Sequence, residues 1–152
     1  MGVDLSLSPW REESVVAIIE KLIGNKIGFP GTINTIFSLN RLVKGLAKKL
    51  GVVTTGFNEV MLSVAEDNIL NERVKEMAIR LRDLISYSAL CAAGLDMVAV
   101  PRSIDITRIA IDMLTIYRVK GRSVAMRIIP VDGGPGTEIL LKRFGVTYVI
   151  EP

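Results

Sequence analysis

The sequence contains no histidine. That excludes a histidine general base, a Ser-His-Asp triad, a Cys-His pair and every histidine-containing zinc site from this chain. Cysteine is nearly absent too. Cys91 stands alone, so no internal disulfide and no Cys-x-x-Cys pair can form. A lone thiol suits a reducing compartment, and we expect a cytoplasmic chain. Aromatic residues make up 5% of the sequence, too few for a base-stacking platform. No apolar run reaches the roughly 20 residues of a membrane span. The longest nearly uncharged stretch, Tyr87 to Val100, contains Gly94 and Asp96. The first residues have neither the basic region nor the apolar region of a signal peptide.

What remains is a globular composition. The chain has 152 residues, 49% apolar and 23% charged, with a formal net charge of +3. The length fits one domain, 1–152. The cations are scattered. Arg41, Lys44, Lys48 and Lys49 cluster on one helix, where they read as a solvated outer face around an inner side of Ile33, Ile36, Phe37, Leu42, Leu46 and Leu50. No reading motif for nucleic acid accompanies them, so neither nucleic acid nor membrane is expected as a partner.

Periodicity divides the chain into five strands and intervening helices. Val3-Asp4-Leu5-Ser6-Leu7 alternates with the period of a strand. Ser8-Pro9 then predicts a helix start, with Ser8 as N-cap, and Gly24 a stop. A second helix is predicted from about Thr32 to Leu50, ended by Gly51. Further strands are predicted at Glu59–Val64, Met97–Val100, Ser123–Ile129 and Val146–Ile150. Asp67 is placed to cap a long helical stretch that continues, unbroken or after a break, to about Ala92, which Gly94 ends, and Asp105 to cap a helix that stops at Gly121. Strands separated by helices imply parallel pairing through crossovers.

Acidic and polar groups at strand ends are the candidate chemistry, because parallel α/β folds place sites beyond the carboxyl ends of strands. Glu66 and Asp67 follow the second strand; they either face a cleft or serve as a solvated neighbour and an N-cap. Asp96 lies among Leu95, Met97 and Val98. A carboxylate there must be paired or hydrogen-bonded, or its pKa rises. Asp4 and Ser6 share one face of the first strand, placed for a ligand or for neighbouring backbone. A Mg²⁺ or Ca²⁺ held by such oxygens would be chemically reasonable. Cys91 is either a participant in a cleft or a buried small side chain among Ala89, Leu90, Ala92 and Ala93; a position at a helix C-terminus disfavours its thiolate.

Four phrases occur in order: Asp4-Leu5-Ser6-Leu7-Ser8-Pro9, Val64-Ala65-Glu66-Asp67, Cys91-Ala92-Ala93-Gly94-Leu95-Asp96-Met97-Val98-Ala99-Val100-Pro101, and Arg127-Ile128-Ile129-Pro130-Val131. Gly31-Thr32 falls between the first two. Together they resemble the C-terminal half of the family known as domain of unknown function 711. The resemblance implies a fold similar to the pyruvate formate-lyase barrel, a ten-stranded barrel of two parallel half-barrels. The chain then reads as one five-stranded parallel half-barrel with helical crossovers, whose open edges require a complementary barrel half or a second copy. Pyruvate formate-lyase carries paired reactive cysteines; Cys91 has no such mate. The Arg-x-x-Gly-Tyr phrase of the glycyl-radical class is not matched by Arg143-Phe144-Gly145-Val146-Thr147-Tyr148, so no glycyl radical is expected. Gly136-Thr137-Glu138 stands where the resemblance implies Gly-Asp.

Two functions follow. One is an enzyme-like cleft that binds a small polar metabolite with Asp4, Ser6, Glu66 and Asp67 and acts through Asp96 and Cys91. The other is a noncatalytic binding or regulatory module. A reactive thiol favours the first; an unreactive thiol and acids engaged by backbone amides favour the second.

Overall fold

The computed structural model describes residues 2–152. In chain order its elements are α1 (Val15–Ile23), α2 (Thr32–Lys49), α3 (Asn68–Lys75), α4 (Leu81–Tyr87), β1 (Gly94–Pro101), α5 (Ile106–Lys120), β2 (Ala125–Val131), β3 (Glu138–Leu141) and β4 (Gly145–Tyr148). β1 is an apolar run buried along its length up to Pro101. It pairs in parallel with β2, and α5 connects the two. A strand covered on both sides needs this near-continuous apolar composition.

The β1–β2 ladder is irregular at one point. Leu95 is opposite Met126 and Val98 opposite Ile128, so β1 carries one extra residue. Met97 within this bulge has a φ of 51°, a left-handed conformation uncommon for a side-chain-bearing residue.

On its other edge β1 meets two segments. Ser63 bridges Asp96 in parallel, and the Ile150 amide donates to the Ala99 carbonyl at 2.9 Å. Farther out, Val3 bridges Thr54 and Leu7 bridges Val60, both in parallel. The expected five-stranded half-barrel is not formed by the described residues. The continuous parallel sheet has two strands, and Val3–Leu7 and Glu59–Val64 join by single bridges. The physical reason lies in Gly56 and Asn58, at φ 72° and 55°, which turn the backbone out of the extended region. The Asn58 Oδ1 then accepts the Leu5 amide at 2.9 Å, replacing a ladder bond.

The last predicted strand also differs. Gly145–Tyr148 runs antiparallel to Glu138–Leu141 as a hairpin, not parallel to the main sheet. The predicted first helix begins six residues later than Pro9. Arg11 sits at φ 56°; its amide donates to the Glu66 carbonyl, and its carbonyl accepts from the Asn68 amide at 3.0 Å. Those bonds hold residues near Arg11 in a turn, and Ser14 becomes the N-cap of α1. The helical stretch after Asp67 takes the broken form of the expectation. Met77, at φ 55°, ends the first part, which lets Ile79 enter the core fully buried and the Leu81 amide reach the Glu151 carbonyl at 2.8 Å.

The core comprises Val16 and Ile19 of α1, Ile36 of α2, Leu70 of α3, and Val98 and Val100 of β1. The face of α2 differs from expectation. Of the predicted inner side only Ile36 is buried, while Ile33, Phe37, Leu42, Leu46 and Leu50 are exposed. No helix among the described residues is long and apolar enough to cross a membrane.

Candidate functional site

Asp96 and Arg127 occupy neighbouring strands. The Asp96 carboxylate is 3% exposed. An acid so placed must be hydrogen-bonded or paired with a cation, and Arg127 of β2 does both with two N–H groups: Nε to Oδ1, and Nη2 to Oδ2 at 2.7 Å. The guanidinium is 54% exposed, so the pair is anchored inside and presented outside. Its hydrogen bonds to Asp96 push Arg127 above the ordinary arginine pKa, so it stays charged.

Glu66 completes the cluster. The Glu66 and Asp67 amides both donate to the Ser63 carbonyl, and the turn holds the Glu66 Oε1 3.7 Å from the Arg127 Nη2. The three side chains carry two negative charges and one positive. Arg127 retains N–H groups not used by Asp96, and Glu66 retains free acceptor capacity. The Ser63 hydroxyl, beside Asp96 on the bridge, is buried without a hydrogen-bond partner among the described residues. Arg127 is the member of this cluster that the strand-end reading missed. A lone cation in the apolar run Met126–Val131 is the signal that could have found it, since it must meet an acid on an adjacent strand.

The other predicted residues go elsewhere. Asp67 is fully buried and caps two helices. Its Oδ1 accepts the Ser14 hydroxyl at 2.6 Å and the Ile69 and Leu70 amides at 3.1 Å each, and its Oδ2 accepts the Val15 and Val16 amides at 3.0 and 3.1 Å. These bonds fill the acceptor capacity of a carboxylate. Cys91 lies beyond the end of α4 and is buried; its Sγ accepts the Leu62 amide at 3.1 Å. Burial pushes its thiol pKa up. Asp4 and Ser6 are in contact, the Ser6 hydroxyl donating to the Asp4 Oδ1 at 2.6 Å. That bond, with the Ser6 amide, holds Asp4 below its ordinary pKa. Both reach the Asn58 amide and lie apart from the Asp96 cluster in the contacts they make. The described residues hold no group of three or more acids or thiols placed to bind a metal ion.

A parallel strand pair connected by a helix, with a charged cluster carried on the strands, defines an α/β protein. The chain belongs to the family described as Uncharacterised ACR (DUF711), whose model matches residues 1–140. It is 36% identical over 147 residues to a UPF0210 protein of Methanopyrus kandleri, an alignment covering 90% of this chain and 32% of the relative. A UPF0210 protein of Carboxydothermus hydrogenoformans is 33% identical over 136 residues, 86% of this chain and 30% of that one. One of Methanocaldococcus jannaschii is 32% identical over the same length and shares. The chain thus spans about a third of the length of these relatives. No solved structure matches it.

Proposed function

We propose that the chain is one wall of a barrel similar to that of pyruvate formate-lyase, corresponding to the C-terminal half of its family's fold, and that this wall binds a small polar metabolite. The observation that carries the reading is the Asp96–Arg127–Glu66 cluster. The free N–H groups of Arg127 suit an anionic group of the ligand, and Glu66 suits an ammonium or hydroxyl donor beside it. The ligand class is therefore a small amino or hydroxy acid. Two features support the noncatalytic form of this function over an enzyme acting through Cys91. The thiol is buried with a raised pKa, and Asp67 is engaged by backbone amides.

The partner in this reading is a complementary barrel half. The parallel order of residues 3–7, 53–64, β1 and β2 supports a wall that continues beyond the chain. So do the exposed apolar residues of α2 and the greater length of the relatives. The single unpaired thiol supports a cytoplasmic setting.

Saturation-transfer NMR on the chain with pooled small amino and hydroxy acids tests the binding. At least one compound should give a signal that Arg127→Gln abolishes while circular dichroism stays native. No signal from any compound, or one unchanged in Arg127→Gln, overturns it. Sedimentation velocity tests the open wall: without its other half the chain should self-associate, and a soluble monomer at high micromolar concentration contradicts it.

A further inference from the structure

We propose a second binding site, for the phosphate group of a small metabolite, in the basic cleft where Lys44, Lys120 and Arg122 converge on the buried carboxylate of Glu59. It shares no residue with the Asp96 cluster. Its lining includes Ala92 and Ser123, which precede β1 and β2, so it opens at the N-terminal ends of the parallel strands.

The argument begins with Glu59, which is 3% exposed. Its Oε1 accepts from both the Lys44 Nζ and the Arg122 Nη2, each at 2.5 Å. Its Oε2 has the Lys120 Nζ at 3.8 Å, beyond hydrogen-bond reach. The Lys120 side chain is itself only 4% exposed, and it donates to the Cys91 and Ser88 carbonyls. One carboxylate thus faces three cations. A buried lysine close to two other cations is costly unless an anion balances it. Asp4, behind Gly56 at the cleft wall, adds one negative charge, and the cations still outnumber the acids.

The imbalance extends over the surrounding surface. A cavity of about 350 Å³ is lined by Glu59, Lys120 and Arg122. Clefts of about 140 and 330 Å³ adjoin it at shared residues, the smaller bringing Arg41 and Lys44 and the larger Lys44 and Lys48. Across all three, Glu59 is the sole acid lining, against five cations. The 350 Å³ cavity is of small-molecule size. Lys44 and Arg122 are half exposed and retain N–H groups for a ligand, while Glu59 fixes their positions. A fixed arginine fork beside lysines suits phosphate oxygens. Phe57, half exposed on the cavity rim, offers an apolar surface for the rest of the metabolite.

The test is isothermal titration of the intact chain with inorganic phosphate at constant ionic strength. Saturable binding is expected in the millimolar range or tighter, weakened by about tenfold or more in Arg122→Gln. Lys44→Gln repeats the measurement should the first variant fold poorly. Arg102→Gln, whose side chain pairs with Asp132 at the other ends of β1 and β2, should bind as the parent does. Absence of saturation, or equal affinity in folded Arg122→Gln and Lys44→Gln, overturns the proposal. So does tight, steeply salt-dependent binding of an oligonucleotide by a chain that ignores phosphate.

Discussion

Ser14 and Asp67 are 53 positions apart, yet the Ser14 hydroxyl donates to the Asp67 carboxylate at 2.6 Å while Ser14 itself caps α1. The two N-caps of α1 and α3 are therefore hydrogen-bonded to each other. One buried carboxylate serves the first turns of both helices, where the helix dipoles favour negative charge. Asp67→Ala removes five hydrogen bonds at once. We expect a loss of about 2–4 kcal/mol in urea unfolding, with Asp67→Asn losing about half as much. A loss below about 1 kcal/mol for the alanine variant would show that the paired caps matter little.

Cys91 should resist modification in the native state. Its thiol is buried and burial disfavours the thiolate, the reactive form. Ellman's reagent at pH 8 should react about a hundredfold more slowly with the native chain than with the urea-unfolded chain, limited by local opening. Native and unfolded rates within a factor of a few would place the thiol at an accessible surface.

Glu20 of α1 and Arg73 of α3 form a two-bonded ion pair, Nε to Oε1 at 2.7 Å and Nη2 to Oε2 at 2.9 Å. Burial pushes the Glu20 pKa up, but the bonds from Arg73 and the Ile27 amide outweigh it, and the net direction is downward. A folded-state pKa below the unfolded value contributes stability above the ordinary glutamate range. That contribution is lost as pH falls through the folded value. Glu20→Gln should cost about 1–2 kcal/mol at pH 7 and progressively less as pH falls below the ordinary glutamate range, so the parent and variant stability curves converge in acid. Parallel curves would remove Glu20 as the source.

Gly94 starts β1 at φ 77°, and a Cβ there would run into the Ala125 carbonyl oxygen across the ladder. Backbone strain and overlap with main chain both oppose a side chain. Gly94→Ala should destabilise by about 3 kcal/mol or more in thermal or urea unfolding. Gly24→Ala, at a similar φ but with open space around it, should lose only about 1 kcal/mol.

Local signals in the sequence were legible. Asp67 and Asp105 are N-caps as their positions imply, Gly121 closes α5, and the α/β class follows from apolar runs alternating with helical ones. What failed was decided by distant contacts. The start of α1 depends on Arg11 meeting the backbone of Glu66 and Asn68. The periodicity of α2 gives a face but not a neighbour, and most of that face is exposed. The candidate site was half visible. Asp96 and Glu66 stand out as acids near apolar strands, but Arg127 joins them only because β1 and β2 are adjacent. Glu59 lies some sixty residues from Lys120 and Arg122, and the three gave no motif at all.

The extra residue around Met97 gives the central strand an odd parity. Side chains of a strand alternate between its two faces, so whatever precedes the bulge is out of phase with whatever follows it. Deleting Met97 would smooth the ladder and leave Asp96 as the single residue across from Arg127, between the Leu95–Met126 and Val98–Ile128 pairs. The count of residues between Leu95 and Val98, more than their identity, thus decides how the two strands meet at this point.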